Sequence, residues 1–354
     1  MRILITGGAG FVGSHLALAY RHAPGAHEVV AMDNLKRRGS ELNLQVFRDE
    51  GIRFEHGDIR QPGDLADLPG EFDLMIEASA EPSVHAGRNG APGYVLQSNL
   101  VGTLNCLEFA RHRAGALIFL STSRVYSIGP LRAVRLTEGP SRFEIAPEQA
   151  FPGVSERGIN EAFPTHLPRS LYGATKLASE LVIQEYADTY GLPAVINRCG
   201  VIAGPGQFGK VDQGVFTLWV ARHHFRLPLT YTGFGGTGKQ VRDLLHPDDL
   251  FALLRRQHGA ISECSGEVYN IGGGSENAVS LLEYTELCRE ATGNLLDIGS
   301  QPDTSAVDVP LFVTDTRKAG ARFDWRPRLA PRDIVAQIAE WIRNDETQLR
   351  ALFT

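Results

Sequence analysis

Tyr172 and Lys176 stand four residues apart in Tyr172-Gly173-Ala174-Thr175-Lys176. On a helix that spacing puts both side chains on one face, one turn from each other. A phenol beside an ammonium is a tuned acid/base, because tyrosine ordinarily titrates at about 10 and a nearby cation pulls that value down. Such a pair also arises by chance on many exposed helices. Here it follows, in order, a glycine loop at Gly7, Gly10 and Gly13 and the hydroxyl run Ser121-Thr122-Ser123. The three together predict hydride transfer between a carbinol carbon and a nicotinamide.

That chemistry calls for these residue types. Removing a hydride from a carbinol carbon requires loss of the hydroxyl proton. Tyr172 as phenolate would take it while Thr122 holds the oxygen, although Ser and Thr also serve as plain turn residues. Lys176 would lower the tyrosine pKa and hold a ribose hydroxyl. Proton transfer of this kind is commonly worth ~10²–10⁴ in rate. The glycines permit a tight turn and let backbone N–H groups approach a pyrophosphate where Phe11 and Val12 open a helix. Asp33 closes the second apolar run, about 20 residues past the loop, where a carboxylate accepts ribose hydroxyls and repels a 2′-phosphate. NAD is therefore the expected cofactor, with Lys36-Arg37-Arg38 keeping NADP open. Asp33-Asn34 reads otherwise as a strand-ending turn, and Asp58-Ile59 either reaches the adenine or caps a helix.

A parallel sheet would position these groups. Ile3-Leu4-Ile5, Val29 to Met32, Ile52-Arg53-Phe54, Leu74-Met75-Ile76 and Leu117 to Leu120 are short apolar runs. Helical spacing lies between them, as from Phe11 to Tyr20 and from Asn99 to Arg111. Continuous apolar strands alternating with helices predict an α/β fold with a Rossmann-type, doubly wound parallel sheet. Residues 1–200 would form the NAD-binding domain, with a return segment at about 245–275. Residues 201–244 and 276–354 would build a smaller C-terminal substrate-binding lobe. Residues 127–168 lack periodicity and would run as long surface excursions. Asp248-Asp249 would start a helix returning to the first domain.

The bulk properties narrow the class. With 354 residues, a net charge of −6 and a pI near 6.0, the chain carries no electrostatic footprint for nucleic acid. Cys106, Cys199, Cys264 and Cys288 are scattered without ligand spacing, so neither a metal nor a disulfide framework is expected. No run reaches the ~18 apolar residues of a membrane span. The apolar start at Met1 to Ile5 breaks too early for a signal peptide. The expectation is a cytoplasmic protein with no membrane or nucleic-acid partner.

The chain resembles the extended short-chain dehydrogenase/reductase family, the nucleotide-sugar epimerases and dehydratases. Thr6 to Gly13, Asp33-Asn34, Asp58-Ile59-Arg60, Asn99 with Gly102-Thr103, Ser121 to Tyr126 and Tyr172 to Lys176 carry the resemblance, with Arg198, Gly204-Pro205, Arg242-Asp243 and Asn270 to Gly273 following. It implies cofactor contacts from Gly7, Gly10, Phe11, Val12, Asp33, Asn34, Asp58, Ile59, Ala78, Asn99, Ser121, Tyr172, Lys176 and Cys199. It implies catalysis by Thr122, Tyr172 and Lys176. It also implies a nucleotide-sugar substrate, a role in surface-polysaccharide synthesis, and a homodimer or higher homo-oligomer joined through the helices after Asn99 and around Tyr172.

Within that family the chain is most similar to the CDP-tyvelose (CDP-paratose) 2-epimerases, through Asp212-Gln213-Gly214 and Gly238 to His246. The likeness implies that Arg242 binds the substrate diphosphate and that Gln213, Thr122, Ser123 and Arg124 line the sugar site. Dehydratases carry Asp and Glu after the catalytic Thr; here Ser123 and Arg124 stand there, and arginine cannot protonate a leaving hydroxyl near neutral pH. Three departures from the family pattern are Val201, the arginine-free segment from Gln301 to Pro310, and Glu77, where many members have a His. The expected reaction is epimerisation at C2 of a CDP-linked dideoxyhexose through a 2-keto sugar. The alternatives are a UDP-hexose 4-epimerase, a net oxidoreductase, or a dinucleotide-binding regulatory protein without turnover.

Overall fold

The computed structural model describes the chain apart from residues 89, 210–213 and 354. Gln213 thus lies outside the described residues. The chain divides into two compact units. The first comprises Met1–Val125, Ser170–Cys199 and Leu250–Tyr269, and the second Tyr126–Arg169, Gly200–Asp249 and Asn270–Thr354.

The first unit is built on a seven-stranded parallel sheet, as the alternating apolar runs predict. Its strands are β1 (Arg2–Thr6), β2 (Glu28–Asp33), β3 (Arg53–His56), β4 (Leu74–Glu77), β5 (Leu117–Thr122), β6 (Ala194–Cys199) and β7 (Val268–Ile271), in the order β7-β6-β5-β4-β1-β2-β3. The order reverses between β1 and β4, which is the switch point where ligands bind such sheets. β4, β5 and β6 are buried throughout, so both faces must be covered. Leu4, Val30, Met75, Leu117 and Ile196 pack with Cys106, Leu107 and Ala110 in one core. The flanking helices that matter most for the site are α1 (Phe11–His22), α2 (Gly102–Arg113) and α3 (Leu171–Tyr190).

α3 carries Tyr172 and Lys176. Ser170 caps it by accepting from Gly173 N at 3.2 Å, and Gly191 ends it in the left-handed region at φ 66°. Its attachment to the sheet is polar. Glu180 accepts from Arg198 Nε at 3.0 Å and Nη2 at 2.7 Å, and Ser121 Oγ donates to the same carboxylate. Arg198 and Ser121 are in register on β6 and β5, so one carboxylate ties the helix to two strands. Ser179 Oγ donates to Asn99 O at 2.9 Å, joining α3 to the π-helical turn Gln97–Val101 before α2.

The second unit holds its own core. Phe216, Trp219, Leu229, Tyr284, Ile334 and Ile338 are among its buried members. The expected surface excursions at 127–168 contain a short helix, Ile128–Arg132, and two small hairpins. Pro247–Gly259, with Asp248 and Asp249 in its first turn, carries the chain back into the first unit.

Removing one member of a buried ion pair strands the other. Arg198→Leu should lower unfolding free energy by about 3–5 kcal/mol in chemical denaturation, whereas Glu180→Leu/Arg198→Leu should recover most of that loss. Equal destabilisation of the single and double variants would show that the pair does not hold α3.

Candidate active site

The glycine loop sits between β1 and α1. Gly7 has φ +65°, and a Cβ there would lie 2.8 Å from Ala78 O. A Cβ on Gly13 would lie 2.1 Å from Gly7 O, so neither position accepts a side chain. Gly10 caps α1 and offers no side-chain acceptor, which leaves the first amides of the helix available to an anion. Phe11 and Val12 are half-buried in the first turn. The cradle fits a pyrophosphate.

Asp33, at the end of β2, accepts from Ala9 N at 3.2 Å and Leu35 N at 2.8 Å. Those bonds hold the carboxylate beside the loop. Burial pushes its pKa up, with the Leu35 and Ala9 amides opposing. Asn34 Nδ2 donates to Asp58 Oδ2 at 2.9 Å, and Arg60 Nε donates to Asp58 Oδ1 at 2.9 Å. The Arg60 hydrogen bonds hold the Asp58 carboxyl down at about 2. Asp58 is therefore a constrained anion rather than a loose turn residue. Ile59 is buried against Gly102, and its carbonyl accepts from Asn105 Nδ2 at 2.8 Å. Lys36 Nζ lies 2.9 Å from the Tyr94 ring centroid, and Arg60 Cζ 4.9 Å from it. The ring of Tyr94 thus engages the lysine that keeps NADP open in sequence.

Asn99 uses its amide twice on one residue: Glu81 N donates to its Oδ1 at 2.7 Å and its Nδ2 donates to Glu81 O at 3.0 Å. As placed, it braces the loop after β4. Ser121 is likewise engaged, on Glu180. Ala78 N donates to Thr6 O at 3.1 Å, and its carbonyl forms the wall against Gly7.

Tyr172, Thr122, Lys176 and Cys199 are all buried in the first unit. Thr122, at the end of β5, acts on the Tyr172 phenol so as to favour its ionised form, and Arg124 N donates to Thr122 Oγ1 at 3.2 Å. Ser123 and Arg124 form the short turn Ser123–Val125 directly after β5. Burial pushes the Tyr172 phenol up to about 12, against the opposing effects of Thr122 and Arg124. The depressed phenol expected from the Tyr172/Lys176 spacing is not found in the chain by itself: desolvation of the phenolate outweighs the guanidinium of Arg124. Burial pulls Lys176 below the ordinary lysine value, with Glu77 the foremost group opposing it. Lys176 Nζ has no hydrogen-bond partner and lies 4.0 Å from the Phe119 ring centroid. A buried ammonium without a partner fits a ribose hydroxyl. Burial raises Cys199 to about 12, so it is an inert thiol in the wall.

Arg242 belongs to the second unit. Its Nη2 donates to Asp308 Oδ1 at 3.1 Å and Val309 O at 2.8 Å, and its Nη1 to Val241 O at 2.7 Å. A diphosphate on Arg242 would compete with Asp308, a residue of the arginine-free segment. Sequence reasoning missed Glu180, although it lies one turn beyond Lys176 and two beyond Tyr172 on the same helix face, a spacing that could have exposed it. It also left Thr103 unassigned beyond the family pattern. Among the described residues no cluster of His, Cys, Asp or Glu could hold a metal ion, and no helix is long and apolar enough to cross a membrane.

Known proteins are similar to this chain. Residues 3–272 match the NAD dependent epimerase/dehydratase family. The CDP-paratose 2-epimerase of Salmonella typhi is 30% identical over 355 residues, covering 96% of this chain and 99% of that protein. The dTDP-glucose 4,6-dehydratase of Streptomyces niveus is also 30% identical, over 98% of this chain and 94% of that one. The structure of UDP-glucose 4-epimerase from Thermus thermophilus in complex with NAD aligns with a TM-score of 0.76 at 26% identity, covering 97% of this chain and 99% of that one. Because the match runs from β1 through the glycine cradle and the Tyr172/Lys176 helix to β7, this chain belongs to the NAD-dependent epimerase/dehydratase family, whose cofactor is NAD.

Proposed function

We propose that the chain epimerises a nucleotide sugar at C2, with a CDP-linked dideoxyhexose of the paratose/tyvelose type as substrate. The observation that carries this reading is the pair Ser123 and Arg124 following Thr122, where elimination of water would need acids. Similarity to the Salmonella typhi 2-epimerase over nearly the whole chain supports the choice of carbon and nucleotide.

Gly7, Gly10, Phe11 and Val12 would hold the pyrophosphate of NAD, Asp33 a ribose, and Lys176 with Tyr172 the ribose next to the nicotinamide. NAD held there would supply the hydride acceptor for C2 and the donor that restores it, with no net change in the cofactor. Tyr172 takes the C2-hydroxyl proton and later gives it back, while Thr122 holds the oxygen. Arg124 lies at the sugar and stabilises the phenolate. Its cation matters because the phenol sits at about 12 in the chain alone. The UDP-glucose 4-epimerase structure supports the alternative of C4 chemistry on a UDP-hexose. α3 exposes Leu181 and Tyr190, at 58% and 52%, which supports self-association through that helix into a homodimer.

Tyr172→Phe should reduce turnover of CDP-paratose by roughly 10²–10⁴ while the protein still binds NAD. Turnover in heavy water should leave C2 free of deuterium; uptake there would mean deprotonation at carbon and defeat the hydride mechanism. Faster turnover of UDP-glucose than of CDP-paratose would move the chemistry to C4. For pH, activity needs the phenolate and so rises through the Tyr172 pKa. Arg124 lowers that pKa, so Arg124→Met should move the acid limb of kcat/KM to higher pH; an unmoved limb would remove Arg124 from the site's electrostatics. Leu181→Glu should lower the mass seen by analytical ultracentrifugation, and an unchanged mass would place any interface elsewhere.

A further inference from the structure

Glu77 closes β4 and is fully buried. In register it lies between Thr6 on β1 and Phe119 on β5. In-register residues of parallel strands share a face, on strands about 4.8 Å apart. Lys176 Nζ lies over the ring of that same Phe119, 4.0 Å from its centroid. The lysine therefore enters the row of side chains to which Glu77 belongs. Glu77 Oε1 accepts from Thr103 Oγ1 at 2.6 Å, while Oε2 has no hydrogen-bond partner, and neither has Lys176 Nζ.

We propose that Glu77 is the buried counter-charge of Lys176, a positioning residue that keeps the lysine an ammonium inside the sheet–helix interface. The other groups around Lys176 cannot serve. Glu180, one turn along α3, already carries Arg198 and Ser121. Cys199 from β6 and Cys106 from α2 are buried thiols held neutral by desolvation. Tyr172 on the same helix is a neutral phenol until a further cation arrives. Glu77 is left as the anion available to the lysine. Thr103 orients the carboxylate by occupying Oε1, so that Oε2 remains for the ammonium. Burial acts against both charges, and Glu77 and Lys176 each counter that pressure on the other. Without the carboxylate the ammonium form would be less favoured, and a neutral amine would offer a ribose hydroxyl only an uncharged, weaker donor.

The consequence for turnover rests on the proposed cofactor role of Lys176, but the charge pairing does not, and it is read first in the full chain without substrate. The chain has five lysines, so ¹⁵N-lysine labelling gives few signals, and Lys176→Met assigns the one of interest. In Glu77→Gln the Lys176 titration should move to lower pH by roughly tenfold or more in its acid constant. The basic limb of kcat/KM should fall at correspondingly lower pH. An unmoved Lys176 titration overturns the proposal whatever the activity does, whereas a moved titration with an unmoved basic limb retains the pairing and removes Lys176 from the reaction. Should Glu77→Gln not fold, the reciprocal variant decides. Lys176→Met should show, by infrared spectroscopy at neutral pH, a protonated buried carboxyl that the wild type lacks, with its band displaced in Lys176→Met/Thr103→Val. Absence of that band overturns the proposal equally.

Discussion

The ion pair between Glu180 and Arg198 governs the active face of the first unit. Both side chains are almost wholly removed from water, and one carboxylate serves the guanidinium of β6 and the hydroxyl of β5 together. Breaking the ion pair leaves a charge buried without an answer, which is costly enough to fix the rotation and height of α3. Tyr172 and Lys176 project from that helix on the same face as Glu180. Their reach to Thr122 and Phe119 follows from where Glu180 is anchored.

Burial sets the electrostatic character of the site. Desolvation acts on the phenol, the ammonium, the carboxylate and the thiols alike, and in each case it favours the neutral form. The chain opposes this unevenly. Tyr172 receives only a hydroxyl and a guanidinium, so its proton stays in place in the chain by itself. NAD bound as proposed would supply a further cation at that phenol, and base formation would then depend on the oxidised cofactor.

Most of the sheet was legible in sequence because its central strands are buried on both faces and read as apolar runs, whereas β3, at the edge, is partly exposed and mostly polar. The glycine loop was equally legible: Gly7 and Gly13 meet backbone atoms where any Cβ would collide. The distance of Asp33 from that loop pointed to the end of β2, where its carboxylate meets the Ala9 amide. The pH behaviour of Tyr172 was not legible, since spacing along a helix reveals which charges are adjacent but not how much water has been excluded. Arg242 shows the same limit. Its type and motif suggest a free phosphate ligand, yet Asp308, which is 66 residues away in sequence, closes on its guanidinium. The link between Ser121 and Glu180 spans 59 residues and has no local signature.

Local backbone geometry and side-chain periodicity act within a few residues, so the sequence by itself determined the strand–helix alternation, the cofactor cradle and the Tyr/Lys pair. Desolvation and charge pairing depend on which distant segments come to enclose a group. Only the tertiary structure could therefore decide that the phenol is held neutral, that Glu180 locks its helix to two strands, and that Glu77 lies in the same side-chain row as Lys176.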